Sequence, residues 1–257
     1  MNTSVRTEIE GPVTTIVMSR PRQRNAVDRA MAAQLREAFE RFEADDTQRV
    51  AVLWGEHGVF CAGADLGAID DPARRNEVDP EGGGSGPMGP SRMALSKPLI
   101  AAIGGHAVAG GFELALLADL RVADTSAVLG VFCRRWGVPL IDGGTVRLPR
   151  VVGMARALDL ILTGRAVAAD EALAMGLVNR VVPEGTSREA AEQLARDIAA
   201  FPQRCMLTDR ASAYAQWSLP LADALRHEGR QGASMVAVEG VAGAARFVAG
   251  AGRHGGF

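Results

Sequence analysis

Two apolar runs separated by one amphipathic stretch constrain this chain more than any other feature. Residues 13–18 and 50–54 are strand-length runs dominated by Val, Ile, Leu and Met, while Met31, Leu35, Phe39 and Phe42 between them repeat at helical spacing. A strand, a helix and a second strand in that order predict an α/β layered fold with parallel pairing. The pattern continues: residues 99–103 read as a third strand, 114–117 as helix and 120–123 as another strand. From Gly144 onward helical segments dominate, over 154–162, 168–175 and 187–201, interrupted by a strand-like run at 178–182. The reading is a sheet-containing core over residues 1–201 and a helical region over 202–257 that ends in a glycine-rich tail.

Composition supports a folded chain of one large domain, or a main domain with a smaller appendage, and little else. With 257 residues and 47% hydrophobic content there is enough apolar surface to offset ordering entropy, which excludes global disorder. A net charge of -2 lacks the basic excess of a nucleic-acid binder. Cys61, Cys133 and Cys205 are odd in number and show no metal-ligand or redox spacing, so neither a metal site nor a disulfide framework is expected. The four histidines, His57, His106, His227 and His254, form no cluster in the sequence. The longest mostly apolar stretch, residues 98–112, is too short to span a membrane, and the N-terminal segment has no apolar signal core. No membrane or nucleic-acid partner and a cytoplasmic location are the expectations.

Residues 70–92 are polar and rich in glycine and proline, and they predict a mobile loop. Gly84, Gly86 and Gly89 match a dinucleotide-binding spacing, but that motif needs a preceding strand and a following helix, and Pro87 and Pro90 forbid the helix. The match is accidental.

Two other small-residue segments carry more. Phe60-Cys61-Ala62-Gly63-Ala64-Asp65-Leu66 follows the strand at 50–54, and Gly104-Gly105-His106-Ala107-Val108-Ala109-Gly110-Gly111-Phe112-Glu113-Leu114 leads from a strand into a helix. Small residues let a ligand approach the backbone, and a helix beginning after Gly110-Gly111 leaves free N–H groups at its positive end. Read singly, each is equally a tight turn. Together they resemble the signature of the enoyl-CoA hydratase/isomerase (crotonase) family. Its signature pairs an Ala-Gly-Ala-Asp turn with a segment running here from Lys97-Pro98 through Gly110-Gly111-Phe112-Glu113-Leu114. The likeness extends to Asn25-Ala26, to Gly143-Gly144-Thr145 and to Thr163-Gly164-Arg165, leaving out the 70–92 loop and the extreme C-terminus.

The resemblance implies a ββα spiral core with a helical C-terminal region that serves oligomerisation and covers the active site. It implies an acyl-CoA thioester substrate, no separate cofactor because coenzyme A is part of that substrate, and a homotrimer or homohexamer. The backbone N–H groups of Ala64 and Gly110 would hold the thioester oxygen. Ala26, Ala62, Gly63, Asp65 and Leu66 would line the coenzyme path, and Arg22 and Arg24 would stand near its phosphates or simply be solvated surface arginines. Glu113 matches the family's catalytic carboxylate, against the alternative of a dipole-favoured residue in a first helical turn. His106 is placed as packing or pocket lining.

One departure matters. Family hydratases carry a second glutamate twelve residues before the threonine of the Gly-Gly-Thr segment, and here that position is Cys133. A thiol cannot replace a carboxylate that activates water, so Cys133 is either a small apolar filler or a substrate-pocket thiol which, at a lowered pKa, acts as a base or nucleophile. Asp142, three residues before Thr145, is either a second catalytic carboxylate or the N-cap of the helix that follows. Arg134 and Arg135 are candidate partners for it. Isomerisation of an enoyl-CoA fits the missing glutamate better than efficient hydration. The alternative is a catalytically weak acyl-CoA-binding or scaffold protein of the same fold.

Overall fold

The computed structural model describes residues 3–252; His254 and the end of the glycine-rich tail lie outside them. The strands are β1 (Val5–Glu10), β2 (Val13–Met18), β3 (Val50–Gly55), β4 (Leu99–Ile103), β5 (His106–Val108), β6 (Leu120–Asp124), β7 (Val128–Gly130), β8 (Val167–Ala168) and β9 (Arg180–Val182). The α-helices are α1 (Arg29–Ala44), α2 (Gly110–Leu117), α3 (Gly144–Val152), α4 (Met154–Thr163), α5 (Ala169–Ala174), α6 (Ser187–Ala200), α7 (Gln203–Ala215), α8 (Leu221–Met235) and α9 (Val241–Val248). The chain groups into two compact units divided after Asp197, so the expected boundary at Phe201 falls just inside the second.

In the first unit, six strands form a sheet in the order β1-β2-β3-β4-β6-β9, parallel throughout except for the β1–β2 hairpin. The interior strands are apolar runs because both their faces are covered. β1 is the edge, mostly exposed and charged, and its alternation hid it from the hydrophobic pattern. A second sheet orders β5-β7-β8. Successive turns of the chain place one strand in each sheet: β4 then β5, and β6 then β7. After β3 the corresponding member shrinks to a single parallel bridge between Cys61 and Ala107. This is the ββα spiral, and its shortest rung lies beside Ala62-Gly63-Ala64.

Helix α1 begins at Arg29 because Asp28 accepts from the Met31 N–H at 3.0 Å, and its buried face carries Met31, Leu35, Phe39 and Phe42. Helix α2 begins a full turn earlier than the apolar run suggested, at Gly110, and all eight of its residues are buried. A helix buried all round belongs at the centre of the core, and Glu113 is its only charged residue. The second unit is helical over α7 to α9. Among the described residues, no helix is long and apolar enough to cross a membrane.

Candidate active site

The residues singled out by sequence meet through a backbone contact between the two small-residue segments. A Cβ on Gly63 would stand 3.1 Å from the Gly110 nitrogen and 2.8 Å from the Ala109 Cβ, and one on Gly111 would stand 2.2 Å from the Cys61 carbonyl oxygen. Only glycine permits that approach. Ala109, at the N-cap of α2, adopts φ 53° and ψ -128°, a conformation costing an L-residue about 1–3 kcal/mol. Its N–H donates to the Gly130 carbonyl at 3.0 Å, which helps hold it there. Ala64 and Gly110 both line a cavity of about 860 Å³, and the backbone N–H of neither donates to any group among the described residues. Gly110 stands three residues before Glu113, on the turn of helix that carries the carboxylate.

Glu113 is 2% exposed and borders the same cavity. Its Oε1 accepts from the backbone N–H of Asp142 at 2.9 Å and of Gly144 at 2.8 Å, so this side chain caps α3 from a distant helix. The other oxygen has no partner among the described residues. Burial, with the nearby charge of Asp142 adding to it, pushes the carboxyl up to about 7, against the opposing pull of the two amides. A carboxyl poised there exchanges protons in either direction at neutral pH.

Asp142 corrects one expectation. Its side chain does not cap α3, whose N-cap is Gly143 at φ 98° with no side-chain bond. Instead Oδ1 accepts from the Met88 N–H at 2.9 Å and from the Ser91 hydroxyl, both in the segment expected to be a mobile loop. Burial raises the Asp142 carboxyl above the ordinary range despite these bonds. Arg134 and Arg135 do not reach it: Arg134 donates to the Ile161 carbonyl, and Arg135 donates to the Gly164 carbonyl and stacks on Phe132. The arginines beside Asp142 are Arg147, which donates to its carbonyl at 3.0 Å, and Arg92, which donates to the Ile141 carbonyl at 2.7 Å.

The 70–92 segment is likewise only partly what its composition suggested. It contains no helix or strand and is mostly exposed to residue 84, but Pro87 through Ser91 are buried. The reason is local: the Asp142 carboxylate draws in two donors, and Gly89 presses its backbone onto α1. Sequence reasoning missed Met88 and Ser91 altogether, since nothing in a glycine- and proline-rich tract marks which residue turns inward.

Cys133 lies 5% exposed on the cavity wall, and burial followed by the Glu113 charge raises its thiol, which therefore stays neutral. Ala62, Asp65 and Leu66 border the cavity, whereas Gly63 and Ala26 do not. Ala26 is buried with its carbonyl accepting from Arg20. Asp65 is committed to structure, pairing with Arg20 at 3.1 Å and accepting from the Gly67 N–H at 3.1 Å. Arg22 and Arg24 are exposed and away from the cavity; the arginines that reach it are Arg29 and Arg75. His106 is exposed, packs edge-on to Phe132 and does not border the cavity, so the pocket-lining alternative for it fails.

Fold and site together define a spiral α/β protein whose central helix places a carboxyl raised to about 7 on a cavity also lined by two residues whose amides have no partner among the described residues. Comparison with known proteins agrees. The family model described as enoyl-CoA hydratase/isomerase matches residues 8–248. The chain is 39% identical over 201 residues to enoyl-CoA hydratase EchA19 of Mycobacterium tuberculosis, covering 75% of this chain and 73% of that one. It is 36% identical to mevalonyl-coenzyme A hydratase SIDH of Beauveria bassiana, covering 80% and 76%. A crystal structure of enoyl-CoA hydratase from Mycobacterium tuberculosis superposes with a TM-score of 0.87 at 32% identity, over 95% of this chain and 96% of that one. The chain belongs to the enoyl-CoA hydratase/isomerase family.

Proposed function

We propose that this protein is an acyl-CoA enzyme that forms a thioester enolate, with the Ala64 and Gly110 amides holding the developing oxyanion and Glu113 moving the proton. The observation that supports the reading is that one cavity is lined by two residues whose amides have no acceptor among the described residues and by a buried carboxyl near pKa 7. Two amides aimed at one oxygen act where charge develops, and removing one such donor costs about 3–4 kcal/mol of transition-state stabilisation. In the isomerisation reading, the Glu113 carboxylate takes a C2 proton from a 3-enoyl-CoA. The electrons move onto the thioester oxygen as a dienolate, and the proton returns at C4 to leave the 2-enoyl-CoA. Cys133, a neutral thiol where a water-activating carboxylate would stand, favours this over efficient hydration.

Hydration is the second reading, supported by Asp142, which lines the same cavity and has one carboxylate oxygen unengaged by any described residue. Asp142 would then take the proton of the water that adds at C3. A catalytically weak acyl-CoA binder of the same fold is the third. A buried, cation-poor glutamate at the cavity argues against it, because such a group lowers stability and gains a binder nothing. We further propose that Ala62, Asp65 and Leu66 line the coenzyme path, that no separate cofactor is needed, and that the protein works in the cytoplasm. A homotrimer or homohexamer is supported by apolar side chains exposed on the second unit, among them Leu221, Leu225, Phe247 and Val248.

The test is mass spectrometry of crotonyl-CoA, a 3-enoyl-CoA and a dienoyl-CoA incubated in isotopically labelled water with wild type and Glu113→Gln. Deuterium exchange or bond migration without oxygen uptake, lost about 10²–10⁴-fold in Glu113→Gln, is the expected result. Oxygen uptake lost in the same variant selects hydration. Coenzyme A esters bound without turnover select the binding protein.

A further inference from the structure

The segment that lies outside the family's sequence pattern ends against the reacting centre. Met88 is 1% exposed and borders the cavity. Its Cγ, Sδ and Cε all lie within 3.1 Å of where a Cβ on Gly110 would stand, so its thioether packs on the residue that carries one of the two unpartnered amides. This wall is held from several sides. The Met88 N–H and the Ser91 hydroxyl both go to Asp142 Oδ1, and the Pro87 carbonyl accepts from Asn76 Nδ2 at 2.8 Å. Arg92 donates to the Ile141 carbonyl, and Gly89 lies so close to α1 that a Cβ on it would stand 2.5 Å from the Ala32 carbonyl oxygen. A methionine on a free loop would yield to a bulky ligand; one fastened at its own amide and three residues on does not.

We propose that Met88, latched by Ser91 and Asp142, is the wall that sets acyl-group specificity, admitting short straight acyl chains and excluding longer ones beside the thioester carbonyl. The proposal rests on the acyl-CoA reading of the cavity. It also gives Asp142 a positioning task that is independent of whether its free oxygen takes part in proton transfer. Shortening Met88 removes the side chain beyond Cβ and extends the cavity past Gly110, whereas Ser91→Ala leaves Met88 in place and removes one of its two anchors.

The experiment is the ratio of kcat/KM for the four-carbon over the eight-carbon ester in wild type, Met88→Ala and Ser91→Ala, using 3-butenoyl- and 3-octenoyl-CoA for isomerisation and crotonyl- and 2-octenoyl-CoA for hydration. Calorimetric Kd values for the saturated esters butyryl-CoA and octanoyl-CoA are measured beside it. Wild type is expected to prefer the four-carbon ester. Met88→Ala should shift the ratio at least about tenfold toward the eight-carbon ester, in binding as well as in turnover, since a few methylenes in an apolar pocket are worth that much. Ser91→Ala should move it the same way by a smaller factor. If the alanine variant at 88 fails to fold, Met88→Val carries the same comparison. An unchanged ratio in a folded variant that still turns over the four-carbon ester overturns the proposal and leaves the acyl-CoA reading intact. Wild type that neither binds nor turns over any of the esters overturns the acyl-CoA reading, and the wall with it.

Discussion

Two glycine-rich stretches border the same cavity, and they are built on opposite principles. In the stretch from Gly104 to Gly111, glycines answer to contact: a Cβ on Gly105 would stand 2.1 Å from the Gly58 carbonyl oxygen, and one on Gly111 2.2 Å from that of Cys61. In the stretch from Gly82 to Gly89, Gly82 and Gly84 answer only to conformation, with φ near +74° and +72° and no atom within 4 Å of where a Cβ would stand. Glycine content alone therefore marks no site. What separates the two is whether another backbone needs the space, and in the second stretch Gly89 is packed in that way, with the Ala32 carbonyl oxygen 2.5 Å from where its Cβ would stand.

That contrast is sharpest at Gly111. Gly111→Ala forces the Cys61 rung away from α2 and is expected to cost upwards of about 3 kcal/mol, with most activity lost, in a chemical-denaturation series. Gly84→Ala, strained in conformation but free in space, should cost about 1 kcal/mol and leave turnover alone. Equal losses at the two positions would break the distinction.

Glu113 provides the next largest effect, because it sits at the contact-built end. Its carboxyl is raised to about 7 in the fold from an unfolded value near 4.5, mainly by burial. The folded state therefore holds its proton more tightly, and the stability this contributes is full below about pH 4.5 and lost as pH rises through 7. A shift of that size is on the order of 3 kcal/mol. Glu113→Gln is thus expected to be more stable than wild type at pH 8, with the advantage shrinking toward pH 5. For a 3-enoyl-CoA, kcat/KM should rise about tenfold per pH unit below 7 and level off above it, as the carboxylate forms. A profile with no inflection between pH 6 and 8 would remove Glu113 as the base.

Ala109 gives the smallest effect. Ala109→Gly relieves the positive φ and should raise stability by about 1 kcal/mol, read as a rise in Tm. A fall would mean that the Ala109 methyl group, packed near Gly63, holds the two segments together more firmly than the strain separates them.

Much of the fold was legible from spacing. The interior strands at 13–18, 50–54 and 99–103 and the stripe of α1 follow from runs and periods, because burial on two faces or on one leaves a direct trace in residue type. Strand β1 and the two- and three-residue strands β5, β7 and β8 left no such trace, being either an exposed edge or too short to show a period. The apolar run alone put helix at 114–117, and only the small-residue segment pointed to the earlier start that α2 has at Gly110. Why residue 111 is glycine was not legible, because it takes the Cys61 carbonyl to leave no room for anything larger.

The sequence by itself determined the layered α/β class, the family, and the small set of positions from which a site had to be drawn. These depend on short-range patterns of residue size and polarity, which need no knowledge of what meets what. Only the tertiary structure decided which oxygen each carboxylate commits and to whom. It turned Asp142 away from the helix it precedes and toward Met88 and Ser91, and it turned Glu113 into the cap of that helix. The reason is that a buried polar atom takes whichever partner packing brings within reach, and those partners lie 29 to 54 residues away along the chain.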